Sequence, residues 1–284
     1  MAPSLLHTTI LTLLALTAFA SNSLLCRLAL TRTDIDPASF SSIRLASGAV
    51  TLWLIVRCRR VRPELRGSWS SAGALFIYAA SFSFAYVTLP AGAGALLLFG
   101  AVQATMIGAG LWAGERMSPG QWGGFILALG GLVALLLPGH SLPSIGGSIL
   151  MLTAGAAWGM YSLQGRGLDD PTGATAGNFL RTLPLAGLLS VAGWPWMRLD
   201  GTGVFYAVLS GALASGVGYA VWYAALRGLT ATRAATVQLT VPVLAALGGV
   251  TLLGELITWR QTLAATAILG GVALVLLRRT AHSG

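Results

Sequence analysis

Residues 108–131, GAGLWAGERMSPGQWGGFILALGG, and residues 248–271, GGVTLLGELITWRQTLAATAILGG, decide the fold of this chain. A shift of 140 residues places Glu115 on Glu255 and Gln121 on Gln261, and glycines coincide at four further positions. Glycine matches carry little weight in a chain with 37 glycines, but the chain contains only three glutamates and two of them fall in register. The pattern therefore predicts an internal repeat.

Similar offsets align Trp158-Gly159 with Phe19-Ala20 and Arg181 with Arg44, so the repeat extends towards both ends of the chain. We expect the halves to meet near residues 138–144, which gives a first repeat over 1–138 and a second over 145–279.

The composition indicates where such a repeat would fold. Hydrophobic residues make up 55% of the 284 residues and charged residues 9%, and the mean hydropathy is +0.78. Soluble domains carry about 25% charged residues, so this chain is predicted to lie in a lipid bilayer. All 17 basic residues are arginines, and most of them lie between apolar runs, a pattern that favours cytoplasmic loops near anionic lipid over nucleic-acid binding as the source of the net charge of +9.

Runs of about 20 mainly apolar residues predict an all-α integral membrane fold with ten transmembrane helices. The predicted spans are 5–30, 37–56, 69–88, 91–114, 119–137, 145–164, 174–193, 204–226, 231–253 and 259–277. Five spans per repeat is an odd number, so the second copy would be inverted relative to the first, with the pseudo-two-fold axis in the membrane plane. Inverted repeats are a recurring device of secondary carriers, which open a midplane site to each side in turn.

Arginine positions predict the orientation. With the N-terminus inside, eleven arginines fall on the cytoplasmic side and three, Arg32, Arg198 and Arg260, fall outside. The positive-inside rule therefore predicts a multi-pass protein of the inner (plasma) membrane with both termini in the cytoplasm.

Polar and aromatic residues within spans are the candidate substrate-binding residues, because a polar group in hydrocarbon needs a partner or a wet cavity. Two sets have helical spacing, around Trp158 in the sixth span and around Tyr219 in the eighth. The candidates are Asn22, Tyr78, Gln103, Trp158, Tyr161, Tyr219 and Gln238. The alternative is that these side chains pack between helices or form an interfacial aromatic belt.

Arg44 and Arg181 are the most deeply placed charges. They could attract an anionic group of a substrate, or they could bond to backbone carbonyls of neighbouring helices. Their matching repeat positions favour a structural role shared by both halves.

No acidic residue falls at mid-span, and no His, Cys or carboxylate set has metal-ligand spacing. We therefore expect no metal, no cofactor and no enzymatic activity, and facilitated export or exchange rather than coupling through a buried carboxylate. Glu115 and Glu255, at helix ends, are interpreted as structural.

The whole set of motifs resembles the EamA branch of the drug/metabolite transporter superfamily. The resemblance rests on Gly114-Glu115 and Gly254-Glu255, the stretch from Gln238 to Pro242, Trp158-Gly159, and Arg44 with Arg181. The first half departs from it by having Val102 where the second has Pro242, so a proline-bent helix is expected only in the ninth span.

The resemblance implies a carrier of small metabolites, closest to bacterial exporters of amino acids, including aromatic ones. The expected partners are an amino-acid-like substrate and membrane lipid. Nucleotide sugars, other anionic metabolites and drugs remain alternative cargoes, and an intramembrane enzyme or a structural or signalling protein remain alternative functions.

Overall fold

The computed structural model describes residues 5–59, 66–114, 116–136, 144–165, 168–229, 234 and 237–279, and within these ranges the chain is helical with no strand. The helices of these ranges are α1 (Leu5–Arg32), α2 (Pro37–Arg57), α3 (Trp69–Tyr86), α4 (Ala91–Trp112), α5 (Pro119–Leu136), α6 (Ile145–Gln164), α7 (Pro171–Gly193), α8 (Gly201–Leu226), α9 (Thr240–Leu253) and α10 (Trp259–Arg279). A 3₁₀ turn, Trp194–Trp196, follows α7. Each of the ten apolar segments predicted from the sequence overlaps one of these helices.

Polar side chains set where several helices begin. Side-chain oxygens accept backbone N–H bonds at the first turns of α2, α3, α6, α7 and α8; the capping residues are Asp36, Ser68, Ser144, Asp170 and Asp200. Pro37 and Pro171 occupy the first helical position, where a missing N–H costs nothing. This explains why α7 begins at Pro171, three residues before the apolar run from which it was predicted.

The predicted ninth span is described only in part. α9 covers Thr240–Leu253 and Gln238 precedes it, whereas residues 231–233, 235 and 236 lie outside the described residues. Pro242 lies in the first turn of α9, a position that proline tolerates. Ala234, Val237 and Gln238 are also helical, and the turn at Leu239 separates them from α9, so the helical path is interrupted three residues before Pro242. A ninth span that begins at 231 stays a prediction.

Five helices are long and apolar enough to cross a membrane: Leu5–Arg32, Pro37–Arg57, Ala91–Trp112, Gly201–Leu226 and Trp259–Leu276. Thr240–Leu253 is also apolar but shorter. Large apolar side chains face outward on these helices, as expected where the solvent is lipid. The chain is thus a multi-pass membrane protein, and the count of ten spans stays a prediction.

Helix packing is symmetric between the two halves. In the predicted repeat, helices α1–α5 correspond to helices α6–α10 in the same order. Three contacts have a counterpart when each helix is replaced by its equivalent: α1–α8 corresponds to α6–α3, α1–α9 to α6–α4, and α2–α8 to α7–α3. The contacts α2–α7, α4–α9 and α5–α10 each join a helix to its own equivalent. The closest contacts between the halves therefore follow one pattern, whereas the α4–α5 contact has no equally close α9–α10 counterpart among the described residues.

The two repeat stretches, 108–131 and 248–271, also share local backbone and capping geometry. Gly114 and Gly254 have φ angles of 89° and 71°, a left-handed conformation that favours glycine at the end of a helix. At the start of α5 the Gln121 side chain accepts the Ser118 N–H (2.8 Å), and at the start of α10 Gln261 accepts the Thr258 N–H (2.9 Å). These are capping boxes. Glu115 lies outside the described residues.

α8 changes its winding along its length. Its central segment, Leu209–Val217, is a π-helix between two α-helical parts, Gly201–Val208 and Gly218–Leu226. Gly211 in this segment lies against the carbonyl oxygen of Arg44, so close that a Cβ atom would overlap it. The π segment and its glycine therefore bring α8 into direct contact with the backbone of α2.

Candidate functional site

A cavity of about 380 Å³ lies between helices of both halves. It is lined mainly by α1, α3, α4, α6 and α8, with Ala234 and Gln238 completing the wall. All seven candidate binding residues line it: Asn22, Tyr78, Gln103, Trp158, Tyr161, Tyr219 and Gln238. The structure thus brings the candidates together around one space, and their contact with a substrate stays a prediction.

Aromatic rings form one wall of the cavity. The Trp158 ring stacks on Tyr161 (centroids 5.4 Å apart, planes at 26°) and on Tyr219 (5.3 Å, 22°). The Tyr78 ring lies 4.9 Å from Trp158, and Phe19 packs against Tyr219 at 5.9 Å. Helical spacing on α6 and α8 turns these rings to the same side, which gives a broad apolar surface for a planar solute.

A short series of side-chain hydrogen bonds lies in the cavity wall beside these rings. The Asn22 amide nitrogen donates to the Tyr78 hydroxyl (3.3 Å), and the Ser210 hydroxyl donates to the Asn22 amide oxygen (2.5 Å). Ser210 belongs to the π segment of α8. These hydrogen bonds fix the Asn22 side chain in one orientation, because its partners Tyr78 and Ser210 belong to two other helices, and they orient the Tyr78 hydroxyl as well.

Arg44 and Arg181, equivalent in the sequence, have different surroundings. Arg44 lies behind the cavity wall, 2% exposed, and its Nη2 donates to the Tyr78 hydroxyl at 3.1 Å. Arg181 is half-buried away from the cavity, where its Nη1 donates to the Gly177 carbonyl one turn earlier in α7 (2.9 Å). The expectation of one role shared by both arginines is therefore not supported by their contacts.

Two amides remain available to a solute. Gln103 and Gln238 line the cavity, and neither side chain makes a hydrogen bond to another of the described residues. Gln103 is buried and Gln238 partly buried, and a side-chain amide withdrawn from solvent without a protein partner loses hydrogen-bond energy unless water or a ligand supplies it. Both side chains are therefore suited to bonding a polar group inside the cavity.

A second polar cluster lies beside the cavity. The Tyr161 hydroxyl donates to Thr175 (3.1 Å) and accepts from the Asn178 amide (3.4 Å), and Thr175 also contacts the Tyr223 hydroxyl (3.1 Å). Asn178 in turn accepts the backbone N–H of Ser68 at the start of α3. These bonds tie α6, α7, α8 and the entry to α3 together around the cavity.

The cavity reaches one end of the helix bundle, which we call the Leu226 end. Gly165, Leu168, Pro171 and Leu226, at the ends of α6, α7 and α8, contribute to its lining. Gly228 lies against Thr8, so this end also contains the start of α1.

Asp170 caps α7 at the Leu226 end and pairs with Arg59 (2.9 Å). Partial burial opposes its ionisation, but the bonds from the Gly173 N–H and the Arg59 guanidinium outweigh this effect and hold the pKa of Asp170 below its usual value.

The opposite end is closed by an ion pair. Arg27 Nε donates to Glu255 Oε1 (3.2 Å), and Arg27 Nη1 donates to the carbonyls of Tyr86 (2.9 Å) and Val87 (3.0 Å). Glu255 Oε2 accepts the Ala91 N–H at 2.8 Å. This Arg27–Glu255 lock joins α1, the α3–α4 junction and the segment after α9, and we call this end the Glu255 end.

Sequence reasoning missed the apolar part of the cavity lining and the lock. Phe82 lies four residues after Tyr78 and Phe19 three residues before Asn22, so helical spacing from the polar candidates was a signal that could have found both. The partner of Glu255 gave no such signal, because Arg27 is 228 residues away in the chain. Within the described ranges, no group of three metal-ligating side chains meets.

Comparison with known proteins gives three similarities. Residues 145–277 match the EamA-like transporter family. The chain is 58% identical over 283 residues to the uncharacterized protein PA1977 of Pseudomonas aeruginosa, and the match covers 98% of each. It also resembles a protein of known crystal structure with a TM-score of 0.68 and 23% identity, covering 97% of this chain and 99% of that one, a likeness of fold. None of the three identifies a cargo.

Proposed function

We propose, from the premise that this chain belongs to one family with the Pseudomonas aeruginosa protein and has an EamA-like transporter domain over residues 145–277, that it is a secondary carrier exporting amino acids, including aromatic ones, by alternating access. The observation that carries the proposal is the aromatic-walled cavity of about 380 Å³ between helices of both halves. Small-molecule sites occupy roughly 300–1,000 Å³, and this one is at the lower end of that range. Its size favours an amino acid over a nucleotide sugar.

The two halves are proposed to be inverted five-helix repeats that form ten spans. The symmetric packing, the paired glycines Gly114 and Gly254 and the two capping boxes support a common architecture for the halves. Two similar halves can exchange conformations, which moves access from one end of the cavity to the other.

Access in this structure is proposed to be from the cytoplasm. The cavity reaches the Leu226 end, the Arg27–Glu255 lock lies at the opposite end, and the arginine distribution supports a cytoplasmic position for the Leu226 end. We propose on the same ground that both termini lie in the cytoplasm and that the protein belongs to the inner membrane. Reporter fusions at the two termini check the orientation: reporters active on different sides of the membrane would contradict it.

Coupling to protons through a cavity carboxylate is not part of the proposal. Among the described residues the cavity lining contains no Asp, Glu or His. Facilitated export or exchange therefore fits the site better than proton-driven pumping.

The direct test is flux of labelled L-phenylalanine and L-leucine in proteoliposomes. Trp158→Ala removes the central ring of the stacked wall, and we expect an uptake rate at low L-phenylalanine concentration reduced roughly tenfold, in line with the loss of aromatic contacts. Trp112→Ala is the matched control, because Trp112 is 94% exposed and does not line the cavity. Absence of protein-dependent movement of any amino acid would rule the proposal out.

A further inference from the structure

Arg44 is a buried cation without an acidic partner. Within the described ranges the ion pairs are Arg27–Glu255 and Arg59–Asp170, and neither involves Arg44. Its Nη1 is completely buried and makes no hydrogen bond. The guanidinium carbon lies 5.3 Å from the centroid of the Tyr78 ring and 4.8 Å from that of Phe82, so cation–π contacts compensate the charge only in part.

An uncompensated charge in a low-dielectric interior is costly, and that cost falls when an anion arrives nearby. Tyr78 and Phe82, the two rings against which Arg44 rests, both line the cavity. The positive charge of Arg44 therefore acts on this wall across one layer of side chains. An anionic group bound against Tyr78 would offset it, whereas a cationic group there would be repelled.

The hydrogen bonds of Tyr78 support the same conclusion about this wall of the cavity. A phenolic oxygen has two acceptor positions and one proton to donate. Asn22 Nδ2 (3.3 Å) and Arg44 Nη2 (3.1 Å) occupy both acceptor positions. The Tyr78 hydroxyl is thus left as a donor, and no acceptor among the described residues takes its proton. A group that binds there must accept a hydrogen bond.

We infer that Tyr78 and Arg44 form the subsite for the carboxylate group of the cargo, an inference that rests on the proposed carrier function. Tyr78 donates its hydroxyl hydrogen to the carboxylate. Arg44 is a positioning residue: it supplies charge and orients the Tyr78 hydroxyl without touching the cargo. The stacked rings of Trp158, Tyr161 and Tyr219 then face the rest of the molecule. The cargo class is a small carboxylate-bearing solute with an apolar or aromatic side chain, and purely cationic solutes are excluded.

The test compares solutes that differ only at the carboxylate. The probes are L-phenylalanine against L-phenylalaninamide, and 3-phenylpropionate against 3-phenylpropylamine. Their dissociation constants are measured by calorimetry on the detergent-purified full-length protein. Because a charge-assisted hydrogen bond is at stake, we expect each carboxylate to bind about tenfold more tightly than its partner.

Variants assign this preference to its residues. Arg44→Met and Tyr78→Phe are expected to reduce the carboxylate preference to near unity, and Arg44→Lys to keep part of it. Arg181→Met is the matched control, because Arg181 occupies the equivalent position in the second half and bonds within its own helix. Its preference should equal that of the unmodified protein. Should Arg44→Met fail to fold, Tyr78→Phe tests the inference by itself, since it removes one hydroxyl and keeps the ring.

The outcomes separate this inference from the carrier proposal. Equal affinity for carboxylate and amide in the unmodified protein, or an unchanged preference in Tyr78→Phe, overturns the subsite while flux of L-phenylalanine still supports the carrier. Failure of every probe to bind, together with no flux, overturns both.

Discussion

Asp36 joins two segments through a single carboxylate. Its Oδ1 accepts the N–H groups of Ala38 (3.0 Å) and Ser39 (2.9 Å) at the start of α2, and its Oδ2 accepts the Arg198 N–H (3.0 Å). Partial burial opposes ionisation, but the bonds from Ser39 and Arg198 outweigh it, so the pKa of Asp36 lies below its usual value. The ionised carboxylate therefore stabilises the fold.

This residue predicts a pH dependence of stability. A depressed pKa in the folded state contributes stability that is complete above the unfolded-state pKa, near 4, and is lost as the pH falls through the folded-state pKa. The unfolding temperature should fall more steeply below about pH 4 in the unmodified protein than in Asp36→Asn, which keeps a capping oxygen without the charge. At neutral pH, Asp36→Ala should lose about 0.5–2 kcal/mol.

Thermal unfolding in detergent over a pH series measures both effects. Asp34→Ala is the control, because Asp34 is exposed and caps no helix. Identical pH curves for Asp36→Asn and the unmodified protein would contradict the prediction.

At the scale of single residues, the sequence predicted which side chains line the cavity better than it predicted their partners. A polar side chain within an apolar run costs free energy in the bilayer unless it faces a partner or a wet cavity, and that rule was enough to find Asn22, Tyr78 and Gln238. The same rule treated Arg44 and Arg181 alike. Their difference depends on which side chain bonds to them from another helix: Tyr78 bonds to Arg44, and no side chain of the described ranges bonds to Arg181. That information is not local in the sequence.

At the scale of the helices, α8 packs closely against the backbone of α2. Gly211 lies against the carbonyl of Arg44, so Gly211→Ala would force α2 and α8 apart. We expect the free energy of unfolding to fall by about 1–3 kcal/mol, the usual cost of overpacking. Gly187→Ala in α7 is the matched control, since a Cβ there meets no atom within 4 Å, and alanine favours a helix over glycine by up to about 1 kcal/mol.

Unfolding followed by intrinsic fluorescence distinguishes the two glycine variants. Gly211→Ala should unfold at a lower temperature than the unmodified protein, while Gly187→Ala should unfold at the same temperature or higher. Equal unfolding temperatures for the pair would show that α2 and α8 are free to move apart.

Apolar runs were enough to locate the helices, because a helix satisfies all its backbone hydrogen bonds within one segment and leaves no unpaired N–H or C=O group in lipid. The turn before α9 and the π segment of α8 escaped prediction for the same reason: hydropathy measures composition and is blind to winding. Residues 209–217 are apolar enough to continue an α-helix, and only tertiary contacts decide that they wind as a π-helix.

On the scale of the whole molecule, the Arg27–Glu255 lock holds the cavity shut at the Glu255 end. Glu255→Gln keeps the shape of the side chain and removes its charge, so the ion pair with Arg27 is lost while the Ala91 N–H keeps an acceptor. We expect the population open at the Glu255 end to rise about tenfold, as for loss of one charged hydrogen bond.

Cysteine labelling measures this opening. Ser23→Cys places a thiol in the cavity wall one turn from Arg27, in a chain whose Cys26 and Cys58 are replaced by Ala and Ser. An impermeant maleimide should reach it from the Leu226 end in every variant, and from the Glu255 end about tenfold faster in Glu255→Gln than with Glu255 unchanged. Asp170→Asn, which breaks the ion pair at the other end, should leave labelling from the Glu255 end unchanged. Equal labelling of Glu255→Gln and the unmodified protein would refute the lock.

The π segment of α8 has a consequence for how the aromatic wall is encoded. Each residue turns an α-helix by about 100°, so the number of residues between Leu209 and Val217 sets the rotational phase of everything that follows. Deleting one that does not itself line the cavity would rotate Tyr219 away from Trp158 and Trp222 away from Phe19 by about that angle, with every cavity side chain still present. In relatives of this protein, a single-codon gain or loss in that stretch should redirect cargo choice more strongly than a substitution on the wall itself.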